Sequence, residues 1–319
     1  MSNGNFAGGD GTSSNPYLIE DADDLNAIRN NLTKAYKLIK DIDLNISPYN
    51  TGTGWLNFSG NFGGSLDGYG HIIKNLYTNH PNSVYLGLLG FGQGATVKNI
   101  GLQDINVIGR DGVGALFGSA IDTTIINSYS TGNINGNNYV GGLIGGYNGS
   151  RCILINSYSI CHISGSSYTG GISGKGIFTL IANSYWDKET SGQATSAAGT
   201  GLTTAQMKTP SSFVGWDTEV LDDGVTKVWI LKDGEYPKLW FEKSPNKYLI
   251  MQNNEYYSLK DNALTELGIP TDNTQKEEWF NDYGVDDLKL ALLTPDEGGN
   301  KLINSLDNQF EVRMMVPKS

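Results

Sequence analysis

Between residues 87 and 186, short apolar runs alternate with Gly, Asn and Ser, and no ten-residue stretch carries an apolar stripe at helical spacing. Runs rich in Ile, Val and Leu bounded by such punctuation read as short strands joined by turns. The pattern repeats. TVKNIG, TIINSYS, LINSYS and LIANSYW align on Asn99, Asn127, Asn156 and Asn183, at steps of 28, 29 and 27 residues. YLGLLG, VGALFG, VGGLIG and TGGISG recur between them and end at Gly90, Gly118, Gly145 and Gly174. A third mark, INVIG, NING and HISG, keeps the same period and ends at Gly109, Gly136 and Gly165. Three independent marks at one period identify a solenoid, one coil per repeat, with parallel strands about 4.8 Å apart in successive coils.

The period assigns columns. Val97, Ile125, Leu154 and Ile181 fall in one register and are expected to stack inside. Leu89, Phe117 and Ile144 form a second apolar column that Ser173 breaks. Asn99, Asn127, Asn156 and Asn183 form a polar ladder, because in-register amides can hydrogen-bond up a stack and Asn tolerates a left-handed corner. Tyr77, Tyr129, Tyr158 and Tyr185 form an aromatic column with Gly101 as a gap, and Tyr85, Tyr139 and Tyr168 another with Gly112 as a gap. Residues 21–32 predict a short amphipathic helix with Leu25, Ile28 and Leu32 on one face, as an N-terminal cap. Residues 228–241 predict an aromatic hairpin closing the far end, with Trp216, Trp229 and Trp240 as cap core.

The fold class expected is therefore mainly β: a right-handed, single-stranded parallel β-helix. Residues 1–60 form the cap and lead-in, 61–190 the repeats, 191–244 the exit and C-terminal cap, and 245–319 a small α+β module. In that module, KYLIMQNNEYYSLKD suggests a hairpin over Asn253 and Asn254. TQKEEWFNDYG and VDDLKLALL suggest two short helices separated by Gly284, and QFEVRMMV a last strand.

Composition narrows the function. Only 17% of residues are charged, whereas 38% are hydrophobic and 42 are Gly, which is not the composition of a disordered chain. The net charge of −11, with no basic patch, argues against nucleic acid or an anionic membrane as partner. Cys152 and Cys161 read as buried free thiols, and no metal spacing surrounds them. The start, MSNGNFAGGDG, lacks the features of a secretory signal. No 18-residue apolar run suggests a membrane span.

Carbohydrate cleavage on a β-helix would need two facing carboxylates. Residues 87–186 hold Asp104, Asp111 and Asp122, no two in the same register, although Asp104 and Asp111 can approach across one coil. They read as solvated turn residues, as does Asp67 in LDGYG. Asp41 and Asp43 read as the outer face of a strand, and Asp222 and Asp223 as a turn. His71, His80 and His162 lie far apart in sequence and register. No catalytic residue, metal or cofactor is assigned. The tyrosine columns are the candidate ligand or interface surface, since aromatic rings stack on sugars or fill protein interfaces.

The G-x-L-I-G blocks with intervening NSYS segments resemble the bacterial GLUG-type repeats of surface adhesins. The flanks PYLIEDADDLNAIRNNL, YKLIKDIDL, SLDGYGHIIKNL, YWDKETSGQ, GLTTAQMK and GEYPKLW extend that resemblance over residues 8–241. It implies a β-helical display module with no catalytic signature. Residues 245–319 resemble small modules of clostridial phage tail and surface proteins. Together these imply a non-enzymatic virion component, a fibre, tail or capsid-surface protein, that binds a host-surface glycan or protein or a neighbouring virion protein. A bacterial cell-surface adhesin and a polysaccharide depolymerase are the alternatives. A fibre could be a homo-oligomer, although no coiled-coil heptad is visible.

Overall fold

The computed structural model describes residues 6–146, 151–216, 218 and 228–239. In the C-terminal part it describes 247–252, 255–260, 263–272, 275, 279 and 313–314. The chain divides into two compact units, Met1–Val220 with Thr226–Glu242, and Leu221–Val225 with Lys243–Ser319.

The first unit is a parallel β-solenoid. One long column runs Tyr17–Tyr36–Leu66–Val97–Ile125–Leu154–Ile181, each residue paired in parallel with the next. The stack therefore begins in the lead-in: Tyr17–Ile19 and Ala35–Leu38 lie in the same sheet as the repeats. From Tyr36 to Leu154 the column is buried. Each aliphatic side chain removed from water there contributes about 1.5–3 kcal/mol. Ile181 keeps the register but not the burial: at 40% exposure it corrects the expectation that it lies inside. The Ile177–Ala182 strand pairs with Arg151–Ile155, the last parallel pairing of this column among the described residues. Leu89 and Phe117 are fully buried, and Phe117 bridges to Ile144 and Ile144 to Ser173 as the repeat demands.

The NSY segments explain how one coil turns and binds the next. Asn99, Asn127, Asn156 and Asn183 all adopt left-handed backbone, φ 47 to 54°, which Asn accepts more readily than bulkier residues. Behind each of the last three comes a buried serine, Ser128, Ser157 or Ser184. Every one of these hydroxyls donates to the carbonyl two residues back, at 2.8–3.0 Å. The Ser157 and Ser184 hydroxyls also accept the amide of the serine one coil earlier, at 3.2 Å. The serine thus stitches coils where the bend interrupts the backbone ladder. Gly118 shows why the other block ends in glycine: a Cβ there would sit 2.1 Å from the Tyr85 carbonyl carbon.

Helix α1 spans Ala22–Ala27 and continues as one 3₁₀ turn, Ile28–Asn30, so the α-helical part is shorter than predicted. Asp21 caps it by accepting the Asp24 amide, while Leu25 and Ile28 are fully buried. Both cysteines are free and buried, and burial pushes the Cys161 thiol up to about 11.

The exit segment departs from expectation in its position. Trp229–Ile230 and Lys238–Leu239 do form an antiparallel pair. Yet Trp229 packs against Tyr129 and Tyr158 on a side of the coils rather than closing their end. The physical reason is those outward-facing rings, which need an apolar cover. Trp240, Asp222 and Asp223 lie outside the described residues.

In the second unit, Lys247–Gln252 and Glu255–Lys260 pair antiparallel, flanked by Ala263–Gly268 and Arg313–Met314. The hairpin tip at Asn253 and Asn254, the VDDLKLALL helix and most of the TQKEEWFNDYG helix lie outside the described residues.

Candidate functional site

The two tyrosine columns have opposite fates. One runs Ile72–Gly101–Tyr129–Tyr158–Tyr185. Ile72, not Tyr77, holds the first place; Tyr77 pairs with Asn106 on a different side of the coil and packs beneath the Gly54 turn. Register explains the difference, because the chain turns again at Asn75, φ 59°, before reaching Tyr77. Tyr129 and Tyr158 stack with ring centroids 4.9 Å apart and planes 3° apart, and the Tyr129 ring lies over the space that Gly101 leaves. Met207, Phe213, Trp216, Trp229 and Leu239 complete this cluster. The Tyr158 hydroxyl donates to Pro237 O at 2.5 Å, and Trp216 Nε1 to Asn183 O at 2.7 Å. Tyr129 and Tyr158 are 1% and 2% exposed, so they hold the exit segment and present nothing to a ligand. Tyr185 packs on Phe213 and Trp216 in the same cluster.

Asp187 locks this cover in place. Fully buried, it caps helix α2 (Lys188–Ser191) by accepting the Glu189 and Thr190 amides. Its second oxygen accepts the Thr204 and Tyr236 hydroxyls, each at 2.7 Å. Burial pulls its carboxyl up. Hydrogen bonds from the Thr190 amide, the Tyr236 and Thr204 hydroxyls and the Glu189 amide overcome that and hold it below the ordinary value. Nothing in the repeat pattern flags this residue, because it follows the last coil; its signal is the D-x-x-T/S-type cap at the start of a four-residue helix.

The other column is open at one end: Tyr168 is exposed, whereas Tyr139 is half-buried and Tyr85 packs against Phe91. Tyr85, Gly112, Tyr139 and Tyr168 occupy equivalent corners of Val84–Leu86, Asp111–Val113, Asn138–Gly141 and Ser167–Gly170. All four are left-handed, with φ of 60, 65, 58 and 53°. Tyr139 and Tyr168 stack at 5.0 Å with planes 8° apart, and Tyr85 leans into the space beside Gly112. Lys175 Nζ lies 4.2 Å from the Tyr168 ring centre and 5.7 Å from that of Tyr139. With the rings 5.0 Å apart, those distances put the ammonium beside the pair, not beyond it. Tyr168 is 51% exposed. A polar row runs next to the rings. Arg110 Nε donates to Asp111 Oδ2 at 3.0 Å, Asn138 Nδ2 to Asp111 Oδ1 at 2.8 Å, and Ser167 Oγ to Asn138 Oδ1.

The asparagine ladder is discontinuous. Asn99 donates to Asp67, Asn127 to Asn99 and Asn183 to Asn156, at 3.0–3.3 Å. Asn127 Oδ1 is buried and accepts no bond, so the chain of amides breaks between Asn127 and Asn156.

The carboxylates considered for catalysis sit apart in role. Asp122 holds Arg151 through two bonds of 2.9 Å, and Asp104 occupies a left-handed turn, φ 54°. His71 Nδ1 lies 3.0 Å from Asp41. Burial raises the Asp41 carboxyl, and hydrogen bonds from His71 and the Ile72 amide outweigh it and leave it below its usual range. Among the described residues no group of three His, Cys, Asp or Glu gathers to hold a metal ion.

These features define a parallel β-solenoid with one aromatic side sealed by its own exit and another exposed. No protein-family model matches the chain. Halomucin of Haloquadratum walsbyi is 37% identical over 150 residues, 43% of this chain and 2% of that protein. A protein described as a Gly-rich membrane protein, from Evansella cellulosilytica, is 34% identical over 44% of this chain and 21% of its own length. The immunoglobulin A1 protease of Streptococcus sanguinis is 33% identical over 37% of this chain and 6% of its own. The matches thus span a small fraction of each of these proteins. A crystal structure from Bacteroides ovatus, also named as an immunoglobulin A1 protease, gives a TM-score of 0.43 at 17% identity, over 74% of this chain and 95% of that one.

Proposed function

We propose that the solenoid is a non-enzymatic display module of a cell-surface protein. The observation that carries this is the Tyr139–Tyr168 stack: two bulky rings held at left-handed corners where the backbone alone favours Gly or Asn, with Tyr168 51% exposed. A relative described as a membrane protein supports a surface location, as does the likeness to GLUG-type adhesins. Among the described residues no helix is long and apolar enough to cross a membrane. The virion assignment draws on the resemblance of residues 245–319 and is the lesser reading.

Catalysis is outside the proposal. Of Asp104 and Asp111, the carboxylates considered for a depolymerase, Asp111 is engaged by Arg110 at 3.0 Å and Asp104 occupies a left-handed turn. The protease name belongs to a protein of which 6% is matched.

Antibodies against the solenoid, applied to intact, unpermeabilised producing cells, are expected to label the cell surface. Labelling only after lysis removes the proposal, and labelling confined to released particles replaces it with the virion reading.

A further inference from the structure

The open aromatic edge has a chemistry of its own. Left-handed backbone in a residue with a Cβ costs about 1–2 kcal/mol, and it is most unusual for a bulky side chain. At the same corner of the coil between Tyr85 and Tyr139, Gly112 adopts φ 65° without that cost. The backbone therefore does not require tyrosine at these corners. On the opposite aromatic column the rings are covered by the exit segment; here Tyr168 is 51% exposed.

The one carboxylate in the polar row beside these rings, Asp111, accepts from both Arg110 and Asn138. The Asn138 amide uses one N–H on Asp111 and its oxygen on Ser167, which leaves a second N–H. Among the described residues the Lys175 ammonium lies beside the Tyr168 and Tyr139 rings and forms no ion pair. The Tyr139 and Tyr168 hydroxyls project from the same stack. Aromatic faces fit the C–H faces of sugar rings, and surplus donors beside an unneutralised ammonium fit acceptor oxygens bearing negative charge.

We infer that this edge binds an acidic saccharide, a chain of uronic-acid type. Tyr168 and Tyr139 stack against its rings, Lys175 faces its carboxylate, and Asn138 and Ser167 bond its hydroxyls. The inference rests on the display reading for its biological setting but not for its chemistry. A ligand held at a corner that repeats up the solenoid would lie along the stack, so its length, not only its terminal unit, contributes to retention.

The test uses the full chain in native affinity gels containing either polygalacturonate or its fully methyl-esterified, neutral form. Polygalacturonate is expected to retard the protein, and the ester to retard it about tenfold less per unit concentration. Lys175→Met is expected to erase that difference, and Lys40→Met, far from these rings in the sequence and paired with Glu20, to preserve it. Tyr168→Gly is the deciding variant. It is expected to weaken retardation about tenfold while unfolding within about 3 °C of the parent, because loss of ring stacking is offset by relief of the left-handed backbone. No retardation in either gel overturns the inference. Equal retardation in both overturns the acidic class, and a large fall in Tm for Tyr168→Gly shows the ring to be structural and overturns its role. Failure of surface labelling with retardation intact removes the display reading and leaves this one standing.

Discussion

At the scale of single residues, the left-handed corner is the feature that most constrains substitution. Asn127 combines φ 49° with a 3.0 Å bond to Asn99. Asn127→Ala loses the bond and places a Cβ residue where backbone conformation disfavours it. The expected cost is about 2 kcal/mol, the sum of a modest hydrogen bond and the left-handed penalty. Asn127→Gly keeps the backbone free and loses only the bond, so it is expected to cost about half as much. Thermal unfolding of the two variants side by side checks the order, and an Ala variant as stable as the Gly variant contradicts it. The asparagines stood out in the sequence because they repeat. The serines that follow the last three of them keep the same period, but their work as stitches between coils became visible only with the carbonyls and amides in place.

At the scale of elements, the exit segment depends on one carboxylate. The Asp187 carboxyl is held below its ordinary value of 3.8, so its contribution is full above that pH and declines as acid protonates the folded form. Acidification below about pH 3.8 is therefore expected to loosen helix α2, Thr204 and Tyr236 together, and to expose Trp216 and Trp229. Tryptophan emission should shift to the red in that window. Asp187→Asn should show the shifted emission already at neutral pH and lose the acid-dependent step. An unchanged acid step in the variant would assign it to another group. The strands and their columns were legible in the sequence from Val97 to Leu154, because inward residues there are uniformly apolar and period 28 survives. The position of the exit hairpin was not legible. It follows the last repeat, and its destination depends on Tyr129 and Tyr158 lying on one side of the stack, which no local pattern at residues 228–239 encodes. Tyr77 was misplaced for a related reason: counting by period alone ignores the extra turn at Asn75.

At the scale of the whole solenoid, the two ends of the sheet differ in cover. In the last strand of the long column, Ile177, Leu180 and Ile181 are 61%, 46% and 40% exposed. Neighbouring exposed apolar side chains invite association with other chains. Ile177→Lys combined with Leu180→Lys is expected to reduce self-association at high concentration, measured by sedimentation velocity. Because both sites are exposed, the effect on Tm should stay small, about 0.5 kcal/mol or less in stability per site. Equal association in parent and variant would remove this patch as its cause. The repeating register carries one more consequence. Every coil is bonded to its neighbours by the same positions, so inserting or deleting one residue would put Ile or Ser where the bend demands Asn, whereas adding a full repeat would leave every junction intact. Descendants of such a gene should therefore change height in graduations of about 4.8 Å, like a ruler lengthened only by whole marks.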